Sequence, residues 1–296
     1  MVSEVNSRGH RRIWHLAPLM FTVGLLFVGG MTLAVLQSIG LLPIVGPTHC
    51  SFAPYTSFAS DAEFRSSLVF TFGLASVATA LSAVLGLWLA LSLKAAVRHS
   101  RILGLILQIP LALPHLVMAL FVMELLAPSG LLARFAYGLG MIHDPAAFPE
   151  LTNDRFGIAI IVSYVLKEAP FIALMVLAVI MRIGEDYDAV ARVLGASPWQ
   201  RLWHITLPQL WPALASSSLV VFAFISGAYE TPLLLGRQYP AMLPVVAQRK
   251  FMDVDLASRP GAIAAGIVIA VITAIFLTGY MRLARALSAK ERALIF

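Results

Sequence analysis

Residues 185–208 read EDYDAVARVLGASPWQRLWHITLP and lie between two long apolar runs. The stretch carries the punctuation of two short helices. Glu185, Asp186 and Asp188 fall in a first turn, where acids complement the positive end of the helix dipole. Tyr187, Val190 or Ala191, and Leu194 recur at helical spacing and make an apolar stripe. Asp188 and Arg192 form an i,i+4 pair on another face. Gly195 is placed to end the helix in a left-handed conformation. Ser197 then caps a second helix, with Pro198 at its first position and Gln200 closing a capping box. Trp199, Leu202 and Trp203 give that helix an apolar side. Leu207 is expected in extended backbone ahead of Pro208, which turns the chain back into the next apolar run. Two readings fit such a segment: a helix pair anchored in the membrane interface by Trp199 and Trp203, or an ordered platform presented to a soluble partner.

The composition around it decides the class. Of 296 residues, 59% are hydrophobic and 12% charged, and the mean hydropathy is +0.87. A soluble domain carries roughly twice that charge, so the chain reads as an all-α polytopic membrane protein. Runs of bilayer-spanning length occur at residues 13–39, 66–93, 102–123, 156–181, 210–234 and 261–281, giving about six helices. Arg11 and Arg12 before the first run resemble a secretory leader, but the apolar core is too long and no small-residue cleavage site closes it. An uncleaved helix is expected. The net charge of +6 marks membrane topology rather than nucleic-acid binding. With the N-terminus in the cytoplasm, the inner segments hold more Lys and Arg than the outer ones, although the last outer segment is itself basic. Both termini and the 182–208 loop are then cytoplasmic. No linker, repeat or low-complexity tract divides the chain, so residues 1–296 are expected to form one membrane domain. The single cysteine, Cys50, excludes an internal disulfide.

Gly195, nine residues, Ile205, one residue, then Leu207-Pro208 resembles the EAA loop of binding-protein-dependent ABC importer permeases. That pattern is Glu-Ala-Ala, three residues, Gly, nine residues, Ile-x-Leu-Pro. Ala189 stands where the family has Glu, Val190 and Ala191 occupy the alanine positions, and Asp188 is the nearest acid. Gly227-Ala228-Tyr229-Glu230-Thr231-Pro232, Lys167-Glu168-Ala169-Pro170, Pro110 and Pro114 are similar to the branch that carries polyamines or ferric iron. The resemblance implies a type I permease fold working in a pair, with a different chain as second subunit. It implies two ATPase subunits and an extracytoplasmic binding protein. The contact to the ATPase would involve Asp188, Ala189, Ala191, Arg192, Gly195, Ala196, Ser197, Pro198, Trp199, Ile205, Leu207 and Pro208. No cofactor is expected on this chain: it has no Gly-x-x-x-x-Gly-Lys-Ser/Thr cradle, so ATP and Mg belong to the partner ATPase. A bacterial inner-membrane location follows.

Lys167, Glu168 and Glu230 fall within spans, where ionisable groups face the bundle interior or water. One reading makes them structural inter-helix pairs. The other places Lys167, Glu168, Tyr229 and Glu230 along a translocation path, with Glu230 and Tyr229 suiting a cationic solute. Lys167 and Glu168 point about 100° apart on a helix, so they need not pair with each other. His115 follows Pro114 and reads as a hydrogen-bonded packing residue. No His-x-x-x-His pair or Gly-x-Ser-x-Gly elbow supports metal sites or catalysis. A function of another class, an ATP-independent carrier or channel, requires coupling carboxylates near the midplane, and Glu168 alone qualifies.

Overall fold

The computed structural model describes residues 2–42, 48–144, 147–183 and 186–293. Every regular element among them is helical: α1 Val2–Ser38, α2 Ala53–Ser60, α3 Ala62–His99, α4 Arg101–Ile106, α5 Ile109–Ala112, α6 His115–Leu126, α7 Leu131–Gly138, α8 Ile158–Ile183, α9 Asp186–Val193, α10 Pro198–Arg201, α11 Leu207–Gly227, α12 Glu230–Leu235, α13 Leu243–Phe251 and α14 Arg259–Ala293. Among the described residues, six helical stretches are long and apolar enough to cross a bilayer: Pro18–Ser38, Ala62–Val97, His115–Gly138, Ile158–Arg182, Pro198–Gly227 and Leu256–Arg282. A helix satisfies its own backbone polar groups, which hydrocarbon cannot do.

Two compact units divide the chain, residues 1–62 with 247–268, and residues 63–246 with 269–296. In the smaller unit, Ser38 Oγ and Tyr55 Oη lie 2.7 Å apart. There, too, Lys250 Nζ reaches Asp61 Oδ2 at 3.3 Å and packs over the Phe58 ring. The apolar side chains of Pro18–Ser38 are almost all exposed, as lipid-facing groups would be.

In the larger unit the fourth span is the hub. More than half of its most apolar window is buried, the highest share of the six. Ile160, Tyr164, Ile172 and Val176 of α8 are fully enclosed by Leu74, Ala75 and Ala78 of α3, Ala119 and Val122 of α6, and Val221 and Ile225 of α11. Helix α3 approaches so closely at Gly86 that a Cβ there would lie 2.8 Å from the Ala169 carbonyl oxygen and 2.8 Å from Ile172 Cβ. Phe72, Phe222 and Phe276 form a ring cluster with centroids 5.4–6.1 Å apart.

Three sequence expectations need correction here. Residues 102–123 are not one helix. They form α4, α5 and the start of α6, with Leu113 extended (φ −76°, ψ 135°) and Pro114 at φ −58°, ψ 147°. Pro114 lacks an N–H and forces its predecessor out of the helical region. The apolar stretch resumes at His115 and continues to Gly138. Nor do residues 210–234 form one span. Helix α11 ends at Gly227, Ala228 is extended (φ −73°, ψ 137°), and α12 starts afresh at Glu230. Finally, Leu207 is helical (φ −59°, ψ −45°), so Pro208 does not turn the chain.

Candidate functional site

The segment after the fourth span is an ordered elbow. Glu185 lies outside the described residues, as do the side chains of Asp186, Tyr187 and Asp188, and with them the expected Asp188–Arg192 pair. Helix α9 stops where Gly195 adopts φ +81°. Gly195 N–H donates to the Arg192 carbonyl at 3.1 Å and Ala196 N–H to the Ala191 carbonyl at 3.0 Å, the paired bonds of a left-handed helix stop. Ser197 and Gln200 form the reciprocal box: Gln200 N–H donates to Ser197 Oγ at 3.3 Å, and Ser197 N–H to Gln200 Oε1 at 2.9 Å. Pro198 occupies the first turn.

From Pro198 the helix runs without interruption to Gly227, by way of a π-helical turn at Leu202–Thr206. The Leu207 N–H donates to the Leu202 carbonyl, five residues back. In an ordinary α-turn the Pro208 ring would collide with the carbonyl of His204. The wider turn removes that collision, so the proline is absorbed instead of breaking the helix.

The elbow presents apolar groups. Val190, Val193, Leu194, Trp199 and Trp203 are exposed, while Ala191 is buried. Trp199 and Trp203 pack edge to face with centroids 5.6 Å apart. Val190, Ala191, Leu194, His204, Ile205, Pro208 and Gln209 line a groove of about 550 Å³. Among the described side chains of the expected stripe, Val190 and Leu194 are exposed and Ala191 turns inward. Ala189, Arg192, Ser197 and Pro198 are exposed, and Ala196, Ile205, Leu207 and Pro208 half-buried.

Within the bundle Lys167 and Glu168 are committed to partners. Lys167 and Glu168 are buried and reach in different directions, as their spacing requires. Lys167 Nζ donates to the Pro110 carbonyl at 3.0 Å and to the Leu113 carbonyl. His115 Nε2 and Glu168 Oε1 share a hydrogen bond at 3.1 Å. The His115 ring lies on Phe224 at 4.4 Å between centroids, and Tyr164 meets Phe224 edge-on at 6.4 Å. Glu230 is exposed in the single chain and Tyr229 half-buried, in the break between α11 and α12. Lys167 and Glu168 thus gather around the third-span break, and Glu230 begins the helix after the fifth-span break. Phe224 and Tyr164 escaped the sequence reading. The rest of the cluster had left traces: the charges Lys167 and Glu168, the prolines Pro110 and Pro114, and His115, which is hydrogen-bonded and packed as its sequence reading expected.

Residues 82–293 match the model of a family described as binding-protein-dependent transport system inner membrane component. The chain belongs to this family. It is a permease component of an importer and not an enzyme. It is 27% identical over 220 residues to the probable sulfate transport system permease protein cysT of Marchantia polymorpha, covering 72% of each chain. It is 28% identical over 206 residues to the putative 2-aminoethylphosphonate transport system permease protein PhnV of Salmonella typhimurium, covering 69% of each. The fold matches a bacterial alginate ABC transporter solved in complex with an alginate pentasaccharide-bound periplasmic protein. That match has a TM-score of 0.76 at 21% identity and covers 95% of this chain and 97% of that one. The narrower resemblance to polyamine or ferric-iron permeases gains no support from these relatives.

Proposed function

We propose that this permease subunit couples to a separate ATPase through the 182–208 elbow. Its solute would be a small anion handed over by an extracytoplasmic binding protein. The observation that carries the coupling reading is the build of the elbow. A helix stop and a capping box fix a short apolar surface to one uninterrupted helix, Pro198–Gly227. A stiff lever transmits displacement where a loose linker absorbs it. An interface anchor for lipid needs no such rigid join to a membrane span. The elbow and both termini are cytoplasmic on this reading, and a second permease chain completes the bundle. ATP and Mg reside on the ATPase.

Gly195 tests the lever. A Cβ at this position meets nothing within 4 Å, so bulk alone does no harm. The penalty comes from φ +81°, which costs a non-glycine residue roughly 1–2 kcal/mol and a β-branched one more. Gly195→Val should therefore loosen the elbow, lower ATPase co-purification and reduce uptake while six-helix insertion persists. Unchanged co-purification and uptake would reject the assignment.

Support for an anion comes from the relatives, whose names refer to sulfate and 2-aminoethylphosphonate, and from the acidic polysaccharide alginate of the structural neighbour. Tyr229 and Glu230 border the path on this reading, and the Glu230 carboxylate repels an anionic solute rather than holding it. Glu230→Gln should then leave ATPase co-purification intact and not reduce anion uptake. A several-fold fall in transport of a cationic solute by the same variant would restore the cationic reading.

A further inference from the structure

We propose that Lys167 and Glu168 are positioning residues that pin the break of the third span and, through His115, tie it to the break of the fifth. The inference rests on the transport reading but not on which surface meets the ATPase.

The chemistry of the first break is specific. In a continuous helix the Pro110 carbonyl would accept from the N–H of residue 114. That residue is proline and has none. Lys167 Nζ supplies the missing donor at 3.0 Å and also donates to the carbonyl of extended Leu113. A buried ammonium with two carbonyl acceptors stands in for the severed backbone bond. This satisfies groups that hydrocarbon would leave bare. The next residue of α8, Glu168, holds His115 at 3.1 Å, the first residue of α6. Lys167 thus binds the chain before and within the gap, and Glu168 binds it just after.

The link to the second break runs through a ring contact. His115 packs on Phe224, which sits on the last turn of α11 before Ala228 interrupts it. Tyr164, one turn ahead of Glu168 on α8, closes the other edge of Phe224 and is itself fully enclosed. Phe224 lies on the same uninterrupted Pro198–Gly227 stretch as Trp199, about 37 Å away along the axis at 1.5 Å per residue. A displacement of that helix reaches His115, and with it the third-span gap, as one rigid movement. Lys167 and Glu168 set where the gap lies; they do not touch solute.

The test uses the assembled importer with its ATPase, in a Cys50→Ser background, because Cys50 is an exposed free thiol. Single cysteines at Leu113 (Leu113→Cys) and at Ala228 (Ala228→Cys) report the two breaks by their rate of maleimide labelling. Lys167→Met should raise labelling at both positions several-fold and lower kcat for ATP hydrolysis about tenfold with KM for ATP unchanged. Lys167→Arg should return both towards the parent, because it keeps donors for the carbonyls. Faster labelling at 113 alone would show that the breaks are independent and would overturn the proposal, as would unchanged labelling at both. If Lys167→Met does not assemble, Glu168→Gln is read by the same criteria: labelling raised at both positions supports the tie, and anything else overturns it. ATPase co-purification is scored separately, so failure of the elbow assignment and failure of the clamp give different results.

Discussion

Leu194→Asp should abolish co-purification of the ATPase and, with it, ATP-driven uptake, while the yield of folded permease stays at the parent level. Leu194 is 80% exposed and its neighbour Val193 88%, so the single chain loses almost no contacts. Surface substitutions of this kind stay within about 0.5 kcal/mol of neutral. Docked against an ATPase groove, the same position becomes an enclosed apolar contact beside Val190, Ile205 and Pro208. A carboxylate buried there without a partner costs about 3–5 kcal/mol, which is two to four decades in affinity at about 1.4 kcal/mol each. The measurement is a pull-down of ATPase on detergent-solubilised permease, with size-exclusion behaviour as the folding control. Full recovery of the ATPase with Leu194→Asp would mean that the apolar elbow faces lipid headgroups, as its two tryptophans alone would suggest.

The features legible in the sequence were those set by local chemistry. The six spans follow from length and apolarity, since nothing polar competes with hydrocarbon for those residues. Gly195, Ser197, Pro198 and Gln200 announce the elbow because a helix stop and a capping box are decided within a few residues of chain. The breaks were not legible for the opposite reason. Pro114 says that the helix is disturbed, but prolines also sit in continuous spans: Pro170 lies inside α8 and Pro212 inside α11. Opening fully at 113–114 requires a donor from another helix, and Lys167 is 53 residues further along the chain than Pro114. The fifth-span break has a weaker signal still, Gly227 followed by Ala228-Tyr229, in a run that otherwise reads as helix. The misplaced turn at Pro208 has the same root. The rule that a residue before proline is extended gave way to a π-helical turn. Which of the two wins depends on whether the helix on either side is held, and here α11 is held by its packing on α8. The charges in the spans were recognisable as important but not as to role. Lys167 and Glu168 read first as brace and second as path, and the brace proposal rests on the carbonyls of Pro110 and Leu113 beside the ammonium.

Gly86→Leu should reduce the folded yield of the permease more than any other single change considered, and should do so without touching elbow or charges. The side chain has nowhere to go. Even a Cβ at this position lies 2.8 Å from the Ala169 carbonyl oxygen and 2.8–2.9 Å from two atoms of Ile172, and Ile172 is fully buried. The obstructing oxygen belongs to the backbone of α8 immediately before Pro170, so no rotamer change relieves the contact. Helix α3 must move off α8. Overpacking a tight core by a methyl or more costs about 1–3 kcal/mol. A backbone neighbour leaves little to relax, so the effect should reach or exceed the top of that range. Between spans there is also no hydrophobic driving force to restore the contact, because lipid tails solvate the separated helices as well as they solvate each other. Close packing at small residues is what holds such a pair. Gly86→Ala gives the graded control. It adds only the clashing Cβ and should fall between parent and Gly86→Leu in thermal midpoint, read by size-exclusion after heating in detergent. The order parent, Ala, Leu in midpoint supports the contact; equal midpoints for all three would mean that α3 and α8 do not meet at this residue.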